Sequence, residues 1–258
     1  AVYGSLDQGF AGIEVDLFLT NDRVPVLNAG PKLNLALCED ASGHEITDDI
    51  WLLQQDRADL DLSWRCGGPE DPAHPDATQL ADTLMDLDEL IDAIADYPDV
   101  VIFLDVRYVP NVSHDPEVYA AEILERWWAA DIPNPLRLTA DLPETIQALN
   151  DRAKRRGHTI HTLLEWPRVP PRGSAVLSGI GADLAHELGV TDAAKAVAAA
   201  GADGLSQPWR LADRRTARAN RADGLELALG TFQNDTRATT FARWEVDWMF
   251  TDYPDAGP

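Results

Sequence analysis

Short apolar runs alternate along this chain with longer stretches whose apolar residues recur every three or four positions. The runs Gly12–Leu19, Val100–Val106, Leu136–Thr139, Thr159–Leu164, Gly204–Ser206, Leu225–Phe232 and Asp247–Thr251 predict strands. Between them Leu87–Ala95, Glu117–Ala130, Pro143–Arg156, Asp192–Ala200, Ala212–Arg221 and Thr236–Arg243 predict helices. Helix starts are marked in the sequence: Thr139-Ala140-Asp141-Leu142-Pro143-Glu144 sets capping types ahead of a proline and a glutamate in a first turn. Strand followed by helix, repeated, predicts an α/β fold around parallel strands.

The expected architecture is a (β/α)8 TIM-type barrel forming one domain over residues 1–258. A barrel of this kind opens on a strand, whereas Ala1–Gly9 reads as a helix, so the first strand is expected upstream of Ala1. Residues 28–80 break the rhythm with a stretch rich in Asp, Gly and Pro, and read as an irregular insertion after the second barrel strand.

Composition changes the picture mainly through charge. Forty-four acidic against 21 basic residues leave a formal net charge of -23, which speaks against nucleic acid as a partner because a polyanion needs a basic stripe. A bare anionic substrate would also be repelled unless a bound cation inverted the local field. No apolar run reaches the roughly 18 residues of a membrane span. The two cysteines, Cys38 and Cys66, both fall in the insertion. They read as a disulfide of an exported protein, periplasmic or extracellular, with two separate thiols as the other reading that spacing allows. Nothing in the sequence sets an oligomeric state.

The candidate chemistry lies in two strands. In Gly12-Ile13-Glu14-Val15-Asp16-Leu17 the two carboxylates are two residues apart and share one face, with the apolar side chains on the other. Paired carboxylates repel each other and lose solvation on a strand, which a hard divalent cation such as Mg²⁺ or Ca²⁺ would relieve. In Val101-Ile102-Phe103-Leu104-Asp105-Val106-Arg107 an acid closes an apolar run, where barrel enzymes place catalytic groups, and Arg107 shares its face. A solvated edge strand for the first motif and a plain rim ion pair for the second are the alternatives.

These segments resemble the glycerophosphodiester phosphodiesterase family. Ile13-Glu14-Val15-Asp16 followed by Leu19-Thr20-Asn21-Asp22-Arg23-Val24-Pro25-Val26 is similar to its signature, roughly IExDVxLTKDGVPVVxHD. Phe103–Arg107 resembles its IEIK element, Gly201-Ala202-Asp203-Gly204-Leu205 its GADGI element, and Val246–Pro254 its VDGIITDYP element. Gly230–Asp235 stands where the family has WTVND. The resemblance implies an eight-stranded barrel that hydrolyses a small-molecule glycerophosphodiester to sn-glycerol 3-phosphate and an alcohol with a divalent metal. It implies Glu14, Asp16 and Asp105 as metal ligands, Asp105 being one methylene shorter than the family's glutamate, and Arg107 as the phosphate contact in place of a lysine.

The family's two histidines depart from this pattern. Its His-Asp pair aligns with Ala29 and Gly30, after Asn28, and its HRG histidine would precede Ala1. Those histidines move protons, a role typically worth about 10²- to 10⁴-fold, so impaired turnover or a pure binding or structural role stands beside the hydrolase reading. Among the remaining histidines, His114 opens a helix, His44 and His74 lie in the insertion, His158 and His161 bracket a strand start, and His186 lies in a helical stretch. Glu165 at the end of its strand and Trp209 after Gln207-Pro208 are weaker candidates for the substrate pocket, and Asn234 and Asp252 read as caps or turns.

Overall fold

The computed structural model describes residues 2–35, 37–67, 83–165, 193–208, 212, 214–232, 235–244 and 246–251. The chain divides into two compact units. One is formed by Ala11–Pro135 with Val2, the other by Tyr3–Phe10 and Leu136–Pro258 with Ala1. A short helix, α1 (Val2–Asp7), opens the chain.

In the Ala11–Pro135 unit the central strand is β1 (Gly12–Leu19), which turns into the short β2 (Pro25–Leu27) and pairs with it antiparallel, Leu17 opposite Leu27. The turn between them is held by Thr20, whose Oγ1 accepts from Val24 N–H at 2.9 Å, and it sets Arg23 at φ 66° in the left-handed region. The insertion follows. It contains β3 (Cys38–Asp40), a 3₁₀ turn at Leu52–Gln54, α2 (Arg57–Ser63) and β4 (Trp64–Cys66), with β3 and β4 forming an antiparallel ladder. The Cys38–Cys66 pair sits directly across that ladder and is disulfide-bonded. The insertion expected to be irregular is, in its described part, built of these short regular elements, and its Leu33, Cys38, Ile46, Leu52 and Leu60 form one core cluster with Phe18 of β1 and Val26 of β2. Strand β2 escaped the sequence reading because three residues beginning with proline carry no periodicity.

Next come α3 (Leu87–Ile94), β5 (Val101–Val106) and α4 (Pro116–Ala130). Helix α3 starts at Asp86 with a capping box: Asp86 Oδ1 accepts from Glu89 N–H at 2.9 Å, and Asp86 N–H donates to Glu89 Oε2 at 2.8 Å. The mostly buried Arg57 of α2 donates to the side chains of Asp61, Asp86 and Glu89, tying the insertion to this cap. All six residues of β5 are buried, the continuous apolar run expected of a parallel strand covered on both faces. It pairs parallel with β1, in a register that sets Glu14 opposite Phe103 and Asp16 opposite Asp105.

The other unit alternates strand and helix throughout: β6 (Leu136–Ala140), α5 (Pro143–Arg156), β7 (His161–Glu165), α6 (Ala193–Ala200), β8 (Gly204–Pro208), α7 (Arg214–Ala222), β9 (Glu226–Phe232), α8 (Asp235–Ala242) and β10 (Trp248–Thr251). Its strands are parallel in the order β6-β7-β8-β9-β10. Helix α5 enters at Pro143 and leaves through Gly157 at φ 74°. All seven strands predicted from the sequence are present, within about two residues at each end, and each of the helical stretches is helical. No helix among the described residues is long and apolar enough to cross a membrane.

Candidate metal centre

Strand alternation and the β1–β5 register together build the site. Glu14 and Asp16 project from one face of β1, and the register carries Asp105 alongside Asp16. One carboxylate oxygen from each of the three lies within 4.8 Å of the others. They form a gradient of exposure, from the exposed Glu14 through the half-buried Asp16 to Asp105, which is 4% exposed. Phe18, two residues beyond Asp16, continues the strand into the core of the insertion.

Arg107 lies among these acids. Its Nε–H donates to Asp16 Oδ1 at 2.7 Å, and its Nη2 meets Asp105 Oδ2 at 2.6 Å. The guanidinium fork thus bridges two carboxylates on neighbouring strands, the charge-assisted, two-point geometry that arginine supports and lysine does not. Burying Asp105 would be costly without such a partner.

Ala29 and Gly30, which the resemblance aligns with the family's His-Asp pair, lie just after β2, the antiparallel partner of β1. Asn28 N–H donates to the carbonyl of Asp16 at 3.0 Å, and Asn28 Nδ2 reaches the carbonyls of Gly30 (2.6 Å) and Lys32 (2.8 Å), closing a tight loop around Ala29 and Gly30. A Cβ at Gly30 would meet nothing within 4 Å. The described histidines of this unit are engaged elsewhere: His114 Nε2 lies 2.8 Å from the carbonyl of Thr20, and the exposed His44 pairs with Asp40 at 3.2 Å. Asp40 is held below the usual carboxylate range by the His44 backbone N–H. Tyr119 packs edge-on to Phe18 and accepts from Leu19 N–H; burial pushes its phenol up to about 12.

Of the weaker candidates, Glu165 closes β7 in the other unit, half-buried and opposite Ser206. Trp209, His74, His186, Asn234 and Asp252 lie outside the described residues.

The sequence reading missed a second network, in the Leu136–Pro258 unit. Glu226 at the start of β9 receives Arg137 Nε at 3.2 Å and also meets His161 Nε2 and Trp248 Nε1. Burial pushes the Glu226 carboxyl up, but the hydrogen bonds and charges of His161 and Arg137 outweigh it and hold the group below its ordinary value. The only signal was that each residue begins, or nearly begins, a strand.

Comparison with known proteins points the same way. No curated protein matches the chain in sequence. Solved structures do. A Silicibacter pomeroyi protein assigned as a glycerophosphoryl diester phosphodiesterase superposes with a TM-score of 0.80 at 20% identity, covering 97% of this chain and 83% of its own. A phosphodiesterase from Oleispira antarctica, solved with the product sn-glycerol-3-phosphate, gives 0.71 at 17% identity over 98% of this chain and 85% of its own. A glycerophosphodiester phosphodiesterase from Agrobacterium tumefaciens gives 0.61 at 15% over 98% and 88%. At these identities the likeness shows a shared α/β fold. The sequence profile of the glycerophosphoryl diester phosphodiesterase family, however, matches residues 1–256, nearly every position of the chain, and it is to this family that the protein belongs.

Proposed function

We propose that Glu14, Asp16 and Asp105 hold a divalent cation, Mg²⁺ or Ca²⁺, and that a glycerophosphodiester bound there is cleaved to sn-glycerol 3-phosphate and an alcohol. The observation that carries this is the convergence of the three carboxylates within 4.8 Å beside Arg107. The donor set fits the group: all-oxygen, anionic and graded from exposed to buried, so a hard cation could enter from the Glu14 side. When bound, such a cation neutralises and polarises a phosphate oxygen. Arg107 offers two N–H groups to the remaining phosphate oxygens, while Asn28 fixes the loop that carries Ala29 and Gly30.

A second reading is favoured by one observation. With Ala29 and Gly30 at the His-Asp position and His114 bonded to Thr20, the described part of this unit offers no histidine to the carboxylates, which suits a site that binds without fast turnover. A thermal melt in EDTA, Mg²⁺ and Ca²⁺, run beside an assay for glycerol 3-phosphate release, separates the readings. Metal-raised stability with product supports the hydrolase; metal-raised stability without product supports the binding protein; no response to either cation sinks the metal site. In the full-length protein, Ala29→His with Gly30→Asp should raise product release, and flat activity there would show the alignment of that loop wrong.

The Cys38–Cys66 bridge supports an oxidising, extracytoplasmic compartment for the protein, which fractionation of the host cell followed by immunoblotting would test.

A further inference from the structure

Arg107 is assigned above to the substrate phosphate, yet in the structure its fork is already held. Nε lies 2.7 Å from Asp16 Oδ1 and Nη2 lies 2.6 Å from Asp105 Oδ2. Both acceptors belong to residues of the carboxylate trio, so the guanidinium takes one oxygen of each of two acids that a cation would draw on and offsets their charge. The geometry has a clear cause. Asp16 and Asp105 are register partners on parallel strands, and Arg107 follows Asp105 by two residues on the same side, so its fork spans the gap between the strands. All three side chains are at least three-quarters withdrawn from solvent, at 24%, 6% and 25% exposed for Asp16, Asp105 and Arg107, which strengthens both the attraction and any competition.

Resting on the metal-site reading above, we propose that Arg107 is a built-in counter-cation: a divalent ion must displace it from Asp16 and Asp105, and the displaced fork then becomes the phosphate clamp. Two consequences follow. Arg107 weakens binding of the cation alone, since it neutralises the carboxylates and occupies their lone pairs. It also couples the two ligands, because a phosphate that takes up the released guanidinium makes its departure from the acids less costly. Cation and phosphate ester then each raise the affinity for the other, by the same factor. In a chain with 44 acidic residues, such coupling makes the cation bind more weakly when no anionic substrate is present.

The test is calorimetric titration of the whole chain with Ca²⁺, with and without sn-glycerol 3-phosphate, for wild type, Arg107→Gln and Arg107→Lys. A fork worth a bidentate charge-assisted pair predicts that Arg107→Gln binds Ca²⁺ alone at least about tenfold more tightly. Arg107→Lys, keeping the charge but not the fork, should fall between it and wild type. Glycerol 3-phosphate should tighten Ca²⁺ binding in wild type, and Arg107→Gln should lose most of that gain. Melting in EDTA serves as the fold control, with Arg107→Gln less stable than wild type and recovering more on adding Ca²⁺. Equal Ca²⁺ affinity in all three proteins would overturn the proposal while leaving the metal site standing. A tighter glutamine variant with a lysine variant identical to wild type would reduce the effect to net charge and overturn the fork. No Ca²⁺ binding by any of them, matched by an Asp16→Asn control, would remove the metal site and the proposal together.

Discussion

Replacing Cys38 and Cys66 together by alanine tests how the insertion beside the site is held. The bridge joins residues 28 apart in sequence, and the chain-entropy relation for closing a loop of that length gives about 3.6 kcal/mol at 25 °C. For a chain of 258 residues unfolding as one unit, with an unfolding entropy of about 2.1 cal/mol/K per residue, that is a drop in Tm of about 7 °C. If the Ala11–Pro135 unit melts by itself, its entropy is about half as large and the drop about doubles. Cys38 is also part of the insertion core, at 3% exposed, so the double variant loses some packing as well. Wild type reduced with dithiothreitol isolates the bond from that packing. The assay is differential scanning calorimetry of oxidised, reduced and double-alanine proteins, with thiols counted by mass spectrometry after alkylation under denaturing conditions. The number of transitions, read together with the size of the shift, shows which unit carries the loss. Two alkylatable thiols in the oxidised preparation would refute the bridge itself. A bonded protein whose Tm moves by less than about 2 °C on reduction would refute the entropy reasoning, as happens when the reduced unfolded chain stays compact.

Two further predictions concern the Leu136–Pro258 unit. Glu226 is held below its ordinary 4.5, so its ionic contacts add stability that is fully present above about that pH and is lost as pH falls through the lowered folded value. Glu226→Gln should therefore be less stable than wild type at pH 7 by about 1–3 kcal/mol, with the gap closing below pH 4.5 in urea melts; a gap independent of pH would refute the charge-based account. Gly204→Ala should destabilise by about 2 kcal/mol or more by overpacking, because a Cβ there would lie 2.4 Å from the Glu226 carbonyl and 2.5 Å from Leu163 Cδ2; an unchanged urea midpoint would show that β8 and β9 can separate at little cost.

The sequence made the strand–helix alternation legible because parallel strands covered on both faces read as continuous apolar runs, and β5 is the clearest example. Glu14 with Asp16, and Asp105 with Arg107, could be paired because alternation along one strand is a local property. The register between strands is not local. Nothing in Val101–Arg107 says that Asp105 stands opposite Asp16 rather than Glu14, and only that register gathers the trio. The Glu226 network failed to show for the same reason, since Arg137 and Glu226 are 89 residues apart. Cys38 and Cys66 lay between these cases: their shared segment suggested a bond, but the β3–β4 ladder was needed to bring them face to face.

Arg107 shows why the two kinds of information have to be combined. Spacing and family pattern assign it to a phosphate, whereas the structure holds it on two acids at 2.7 and 2.6 Å. The N–H groups of Nε and Nη2 that bond Asp16 and Asp105 cannot bond a phosphate at the same time. Both assignments hold if the side chain has two places, one against the carboxylates and one against an ester. An arginine suits that exchange better than a lysine, because its fork is weakly hydrated and equally matched to a carboxylate pair or a phosphate. On the proposal above, an arginine at this position would weaken the hold of the acids on a cation until a phosphate takes up the guanidinium.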